Sequence, residues 1–356
     1  MMSYAITKTP VPSPQRPWRK RSREDVILVI AASVLPGLFC LVGHQIGIFT
    51  PVVAGIMFVA LQIGAGAIAG LLHRGKRGVS DGILISAIGF ALAFIGTIMS
   101  SVIWSVLTKG LEALKWQFLI QNNEYITPTS PLGYGGIGHA ILGTLIIVGI
   151  ATLISVPIGI ATAVYITEVR GRSRVLVQGL VQAMSGVPSV VAGLFIFATL
   201  IFTGIFEFNG FMGALAYTIL MLPTVARTAE EVLRLVPEDL RSAALALGAS
   251  RARVVSMVVI PTAKSGLVTA MLLGIARVVG ETAPLVFTIF GSAKTNINPI
   301  EGPMAGLPLY IFNGVRQPFA PEQARAYSAA LVLLVIVIVF FTLARVLSGN
   351  RKKGKK

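Results

Sequence analysis

The sequence predicts an all-α integral membrane protein, a polytopic helical bundle of about eight transmembrane helices with both termini on the inner face. Three observations carry this. The 356 residues are 54% hydrophobic and only 12% charged, at a mean hydropathy of +0.81, whereas soluble domains carry roughly 25% charged residues. Apolar runs recur along the chain, each long enough for the ~20 residues that cross a bilayer as a helix. The runs are continuous and rich in Leu, Ile, Val, Ala and Gly, not the alternating ~10-residue segments of a membrane barrel.

Taken in order, residues 1–24 are polar, Pro-rich and basic, with Arg16, Arg19, Lys20, Arg21 and Arg23, and read as a disordered cytoplasmic tail. Spans are expected at 26–43, 48–72, 82–107, 137–165, 176–203, 211–226, 261–290 and 326–347. The first is a retained span rather than a signal peptide: no small-residue cleavage site follows it, and a second apolar run begins at once. The run at 261–290 exceeds a minimal span and is expected to be tilted or broken. A basic tail, 348–356, closes the chain.

Charge sets the orientation. With the N-terminus inside, the outer segments 108–136, 204–210 and 291–325 hold Lys109, Lys115, Lys294, Arg316 and Arg325, balanced by Glu112, Glu124, Glu207, Glu301 and Glu322. Most of the 30 Lys and Arg fall in inner segments, the asymmetry expected of a chain with both ends inside. The net charge of +16 therefore reads as topology signals at the ends of apolar runs, and argues against nucleic acid as a partner. Cys40 is the single cysteine, so no disulfide forms within the chain. His44, His73 and His139 are scattered and suggest no metal site. No G-x4-G-K-[ST] string occurs, so ATP binding by that route is not expected.

Residues 227–260 form an inner segment too charged to span. Arg227, Glu230, Glu231 and Arg234 fall three to four apart, as on one helix face. Pro237 opens a new helix with Glu238 and Asp239 in its first turn, where negative charge is favoured. Gly248 stops it. A further short helix is expected from Arg251 to about Val258, ending at Pro261. The result is two short amphipathic helices on the cytoplasmic face; such a pair could also lie on lipid.

The spacing here is Ser242-Ala243-Ala244, three residues, Gly248, nine residues, then Val-x-Ile-Pro ending at Pro261. It resembles the E-A-A-x3-G-x9-I-x-L-P loop of ABC importer permeases, departing from it at Ser242, where that family usually has Glu. The strings GGIGHAILGT (135–144), MSGVPSVVAGLF (184–195), MLPTVARTAEEVLR (221–234) and ARVVGETAPLVFT (276–288) extend the likeness to the phosphate-importer permeases of that class. The resemblance covers 82–347 and implies a type I importer permease core with two coupling helices. Residues 25–72 are then two extra helices with no counterpart in the usual six-span form. It further implies that 235–261 docks on an ATP-binding subunit, through Glu238, Asp239, Ser242, Ala243, Ala244, Gly248 and Pro261. ATP would be held and hydrolysed by that partner; this chain would be neither an enzyme nor the holder of a cofactor. Expected partners are a sister permease, two ATPase subunits, an external phosphate-binding protein and membrane lipids, at the cytoplasmic membrane of a prokaryote.

Two charges lie inside the seventh run. Arg277 and Glu281 are spaced i, i+4, on one helix face and close enough to pair. Intramembrane charges cost ~2.5–3.5 kcal/mol even on the lenient insertion scale and usually mark a pathway. A guanidinium fork matches an oxyanion, and Glu281 could hold that fork or exchange with the anion; the alternative is a buried pair that fixes packing. Arg227, at the inner end of the sixth run, is a second candidate for the pathway. So are Ser185 and Ser189 beside Pro188, where backbone groups freed mid-membrane would line a cavity. Sulfate, molybdate or phosphonate transport is the rival within the class, and an ion-coupled carrier the rival outside it.

Overall fold

The computed structural model describes residues 23–169 and 171–349. Among them fourteen α-helices run in order: α1 Arg23–Gln45, α2 Pro51–Arg74, α3 Lys76–Gly110, α4 Trp116–Ile120, α5 Gly138–Glu168, α6 Arg172–Ser185 and α7 Ser189–Ile196. They continue as α8 Gly210–Arg234, α9 Glu238–Ala246, α10 Arg251–Val254, α11 Ile260–Val279, α12 Ala283–Thr288, α13 Leu307–Val315 and α14 Ala320–Gly349. No strand occurs among the described residues; one isolated bridge joins Phe290 and Met304. The tails expected at 1–24 and 348–356 lie almost wholly outside the described residues.

Among the described residues six helices are long and apolar enough to cross a membrane: Val53–Leu72, Gly78–Gly110, Gly138–Glu168, Gly210–Arg234, Arg251–Val279 and Ala320–Thr342. The first expected span falls on α1, whose described apolar portion is Val34–Gln45. The chain divides into two compact units, residues 1–102 and 103–356, with the division inside α3. In the first unit α2 and α3 meet through glycines: a Cβ at Gly70 would come within 2.1 Å of the Gly78 carbonyl oxygen, and one at Gly82 within 2.1 Å of that of Gly66. Small residues let membrane helices approach this closely when no hydrophobic drive separates them from lipid.

The second unit is built on α5 and α8. Its central core joins Ile147, Ala151, Tyr217, Met221 and Val225 with Val278, Leu285 and Ile289. A second cluster lies at the end near α9 and α10, around Ala163, Ala229, Leu233, Val254 and Val259. A third, of Phe118, Ile137, Ala140 and Leu307, lies at the opposite end. That opposite end is sewn by polar groups. Thr144 donates to the Ala140 carbonyl at 2.8 Å and accepts from Leu307 N–H at 2.8 Å; Asn209 caps α8 by accepting from Met212 N–H at 2.9 Å and donates to the Ile300 carbonyl at 2.9 Å. Arg325, fully buried, donates to the carbonyls of Ser130 (2.7 Å), Pro131 (3.0 Å) and Tyr134 (3.3 Å) and pairs with Glu322 at 3.2 Å.

Two expectations are corrected. The span expected over 176–203 is two helices bent by 101° between Ser185 and Ser189; Pro188 lacks an N–H and pushes Val187 out of helical geometry. The helix of the sixth apolar run continues through the charged face expected at Arg227–Arg234 and buries Ala229, Glu230 and Leu233. Pro261 does not end a cytoplasmic helix. α10 passes through a π-helical turn, Val255–Val259, directly into α11. The wider turn shifts the carbonyls that a proline ring would otherwise meet one turn back, so one helix of 29 residues crosses the Pro261 position. Of the two alternatives for the run at 261–290, tilted or broken, the helix breaks after Val279.

Candidate functional site

The segment between α8 and α11 presents α9 outward. None of its residues is buried. Glu238 and Asp239 occupy its first turn and are exposed, as are Ser242 and Ala243. Ala244 turns back toward the Leu233–Val259 cluster. Leu235 and Leu247, flanking the helix, are 81% and 90% exposed, apolar ends of the kind that a partner covers. Gly248 has φ +82°. The Ala249 N–H reaches the Ala244 carbonyl at 3.2 Å and the Gly248 N–H reaches that of Leu245 at 2.9 Å. This is the paired closure of a Schellman turn, which requires a left-handed residue at this position. Ser250 then caps α10, accepting from Arg253 N–H at 3.4 Å.

Sequence reasoning missed Arg241. It sits on α9, but its guanidinium turns inward, with its side chain only 13% exposed. Nη1 donates to the Val236 carbonyl at 2.8 Å and to Glu238 at 3.2 Å; Nη2 donates to the Leu233 carbonyl at 2.9 Å. Nη2 also lies 3.2 Å from Oε1 of Glu168, the last residue of α5. Oε1 has no hydrogen-bond partner, so that contact is held by charge rather than by a shared proton. An Arg inside an exposed amphipathic helix carries no local signal of this; only the fold brings the ends of α5 and α8 to it.

Arg277 and Glu281 are not paired as the i, i+4 spacing predicts. α11 ends at Val279, Gly280 caps it, and Glu281 falls in the break before α12. Arg277 instead donates from Nη1 to Thr224 Oγ1 on α8 at 3.0 Å. The Tyr217 hydroxyl, also on α8, donates to the Glu281 main-chain carbonyl at 2.6 Å, which fixes the break against α8. Arg227, three residues beyond Thr224, is exposed, and so is Arg277. Ser185 donates to the Val181 carbonyl at 2.9 Å inside α6, so its hydroxyl is spent on its own helix. Ser189 opens α7, half-buried after the bend. The fold therefore brings Arg277, Thr224, Tyr217 and Glu281 together along the α8–α11 seam.

Two cavities lie in the same unit, and one of them borders α11 at Ala276. One of about 310 Å³ has a mixed lining, in which Asn123, His139, Tyr310 and Glu322 stand beside Ile126, Phe290 and Leu309. The other, of about 600 Å³, is apolar, lined by Ala276, Gly280, Phe312, Leu333 and Val337 with Arg316 at its edge. Neither is lined by Arg277, Arg227 or Glu281. No three His, Cys, Asp or Glu side chains among the described residues are grouped to hold a metal ion.

Residues 155–353 match the family model described as binding-protein-dependent transport system inner membrane component. The phosphate transport system permease protein PstA 1 of Mycobacterium tuberculosis (strain CDC 1551 / Oshkosh) is 43% identical over 57% of this chain and 67% of its own length. The phosphate transport system permease protein PstA of Pasteurella multocida (strain Pm70) is 33% identical over 76% of this chain and 95% of its own. A solved structure of the MetNI methionine ABC transporter in inward-facing conformations is 18% identical, covers 60% of this chain and 93% of its own, and has a TM-score of 0.46. The chain belongs to the binding-protein-dependent transport system inner membrane component family, among the multi-pass permease proteins of the PstA group.

Proposed function

We propose that the chain is the permease subunit of an ATP-driven importer that moves inorganic phosphate across the cytoplasmic membrane. The observation that carries the reading is α9, a helix of the family's loop spacing with no buried residue and exposed leucines on either side. Glu238, Asp239, Ser242 and Ala243 form the face offered to an ATPase subunit, while Ala244 seats the helix against the cluster behind it and Gly248 turns the chain out of it. Pro261 lies beyond it, inside the continuous helix. ATP is bound and hydrolysed by that subunit, and this chain holds no cofactor of its own. The relatives named as phosphate permeases support the substrate.

Arg277 supports a shared pathway. It is exposed on this chain although it belongs to a helix apolar enough to span. A charge facing acyl chains costs ~2.5–3.5 kcal/mol at least, so this face is covered by water or by protein. A sister permease closing over the α8–α11 seam leaves Arg277, Arg227, Glu281, Ser185 and Ser189 on a path between two subunits. Two ATPase subunits and an external phosphate-binding protein complete the assembly.

The test is uptake into vesicles holding the assembled complex with ATP inside. Phosphate entry that stops without ATP, and that excess sulfate, molybdate or phosphonate leaves unchanged, is expected. Entry driven by an ion gradient with no ATPase subunit present would overturn the reading. Competition by one of the other oxyanions would move the substrate to that anion.

A further inference from the structure

We propose that Arg241 is a positioning residue that locks α9 to the ends of two membrane helices, so that a push on α9 moves α5 and α8 as one body. The inference rests on the docking reading above and goes beyond it, because it names how motion leaves the docking helix.

Without Arg241 the helix is poorly held. It buries none of its nine residues, and Leu240 and Leu245 stay exposed. Its chain connections lead to α8 through Leu235–Pro237 and to α10 through the Gly248 turn, so a displacement would be absorbed in two short linkers. The Arg241 guanidinium bypasses both. Its two bonds reach the Leu233 carbonyl in the last turn of α8, at 2.9 Å, and the Val236 carbonyl just past it, at 2.8 Å, where carbonyls run out of intrahelical partners; that of Leu233 also accepts from the Val236 N–H at 3.3 Å. Bonds from an ionised donor are shorter and stronger than neutral ones. Glu168, 3.2 Å from Nη2, adds the end of α5. A planar fork reaches these groups together, whereas a lysine ammonium is a single point charge on a flexible stem.

The helices so gripped already form one body. A Cβ on Gly159 of α5 would come within 2.9 Å of a Val225 side-chain carbon on α8, and Ala163, Ala229 and Leu233 share one cluster. Val225 is in turn against Gly274 of α11, one turn from Arg277. A rigid chain of contacts therefore leads from Arg241 to the helix that carries Arg277, the kind of contiguous packing through which coupling travels.

The test uses the complete importer in proteoliposomes, with its sister permease, ATPase subunits and phosphate-loaded binding protein. It reads phosphate moved per ATP hydrolysed, ATPase subunit retained on purification, and thermal unfolding. Arg241→Ala is expected to retain the ATPase subunit and to hydrolyse ATP, while phosphate per ATP falls roughly 5-fold or more, the lower end of usual coupling. Arg241→Lys should recover part of the ratio, and Glu168→Gln should lower it less than Arg241→Ala does. An unchanged ratio in Arg241→Ala overturns the proposal. So does a loss of transport that follows lost folded protein at constant phosphate per ATP. Where Arg241→Ala does not assemble, Glu168→Gln decides: it keeps the bonds to α8, and an unchanged ratio there also overturns the proposal. Failure of the docking reading is distinct, since the ATPase subunit would then bind equally well when α9 of the otherwise wild-type chain is blocked by a bulky Ala243→Trp.

Discussion

Arg277 on α11 donates to Thr224 on α8 at 3.0 Å, and does so across the seam between two helices rather than along its own. The i+4 partner that sequence spacing offers, Glu281, has left the helix, and its main chain is held by Tyr217. The guanidinium is thereby tied to α8, on which Arg227, also exposed, follows Thr224 by three residues.

That geometry makes the two neighbours unequal. Arg277→Ala removes the charge and should lower the initial rate of phosphate uptake by about 10-fold or more, since bonds to a charged group are worth roughly 1.5–3 kcal/mol. Thr224→Val keeps the charge and loses only its orientation, so a fall of a few-fold is expected. Equal rates in wild type and Arg277→Ala, at matched protein in the membrane, would remove Arg277 from the pathway.

Gly248 sets the exit from α9 with φ +82°. Any other residue there carries a left-handed penalty of roughly 1–2 kcal/mol. No atom lies within 4 Å of a Cβ at this position, so strain is the whole effect of Gly248→Ala. The variant should fold but bind the ATPase subunit more weakly in a pull-down, with Gly248→Asn closer to wild type than Gly248→Ala because Asn tolerates this backbone region.

Gly193 tests the bent pair. A Cβ there would stand 2.6 Å from Pro284 Cα and 2.9 Å from its carbonyl oxygen, both backbone, so α7 and α12 must separate to admit any side chain. Overpacking of this kind costs typically 1–3 kcal/mol. Gly193→Val is expected to lower the thermal midpoint in detergent, and Gly149→Ala, at a position with nothing within 4 Å, should leave it unchanged.

Arg325 is the deepest charge at the end away from α9. Arg325→Met would remove the partner of Glu322 and the side-chain donor to the carbonyls of Ser130, Pro131 and Tyr134, of which Pro131 keeps the Tyr134 N–H at 3.2 Å. Breaking a buried pair by removing one partner costs about 3–5 kcal/mol. Hydrogen exchange should rise through residues 127–135 ahead of the helices, and a loop as protected as in wild type would argue against this role.

Much of the fold was readable from composition and periodicity, because a bilayer demands long apolar helices and the run lengths report them directly. The spans at 82–107 and 326–347 fall inside α3 and α14, and that at 137–165 matches α5 but for its first residue, the N-cap Ile137, for that reason. Glu238, Asp239 and Gly248 were legible because helix ends have local chemistry: charge in the first turn and a left-handed glycine past the last. The bend at Pro188 was less so, since an apolar run continues through it unbroken in hydropathy. Pro261 misled, because whether a proline ends a helix or rides through a π turn depends on packing around Val254 and Val259, not on the proline.

The sequence by itself thus determined that the chain is a helical membrane protein, where the exposed helix α9 starts and stops, and that an arginine is placed within an apolar run. Only the tertiary structure decided what the arginines bond to. Arg277 meets Thr224, 53 residues away, Arg241 meets Glu168 at the end of another helix, and Arg325 meets carbonyls nearly 200 residues earlier. Helical periodicity ranks neighbours three and four positions apart, but a buried guanidinium bonds to whichever acceptors the folded chain brings within about 3 Å. Those partners are set by how helices cross, and no local pattern records a crossing.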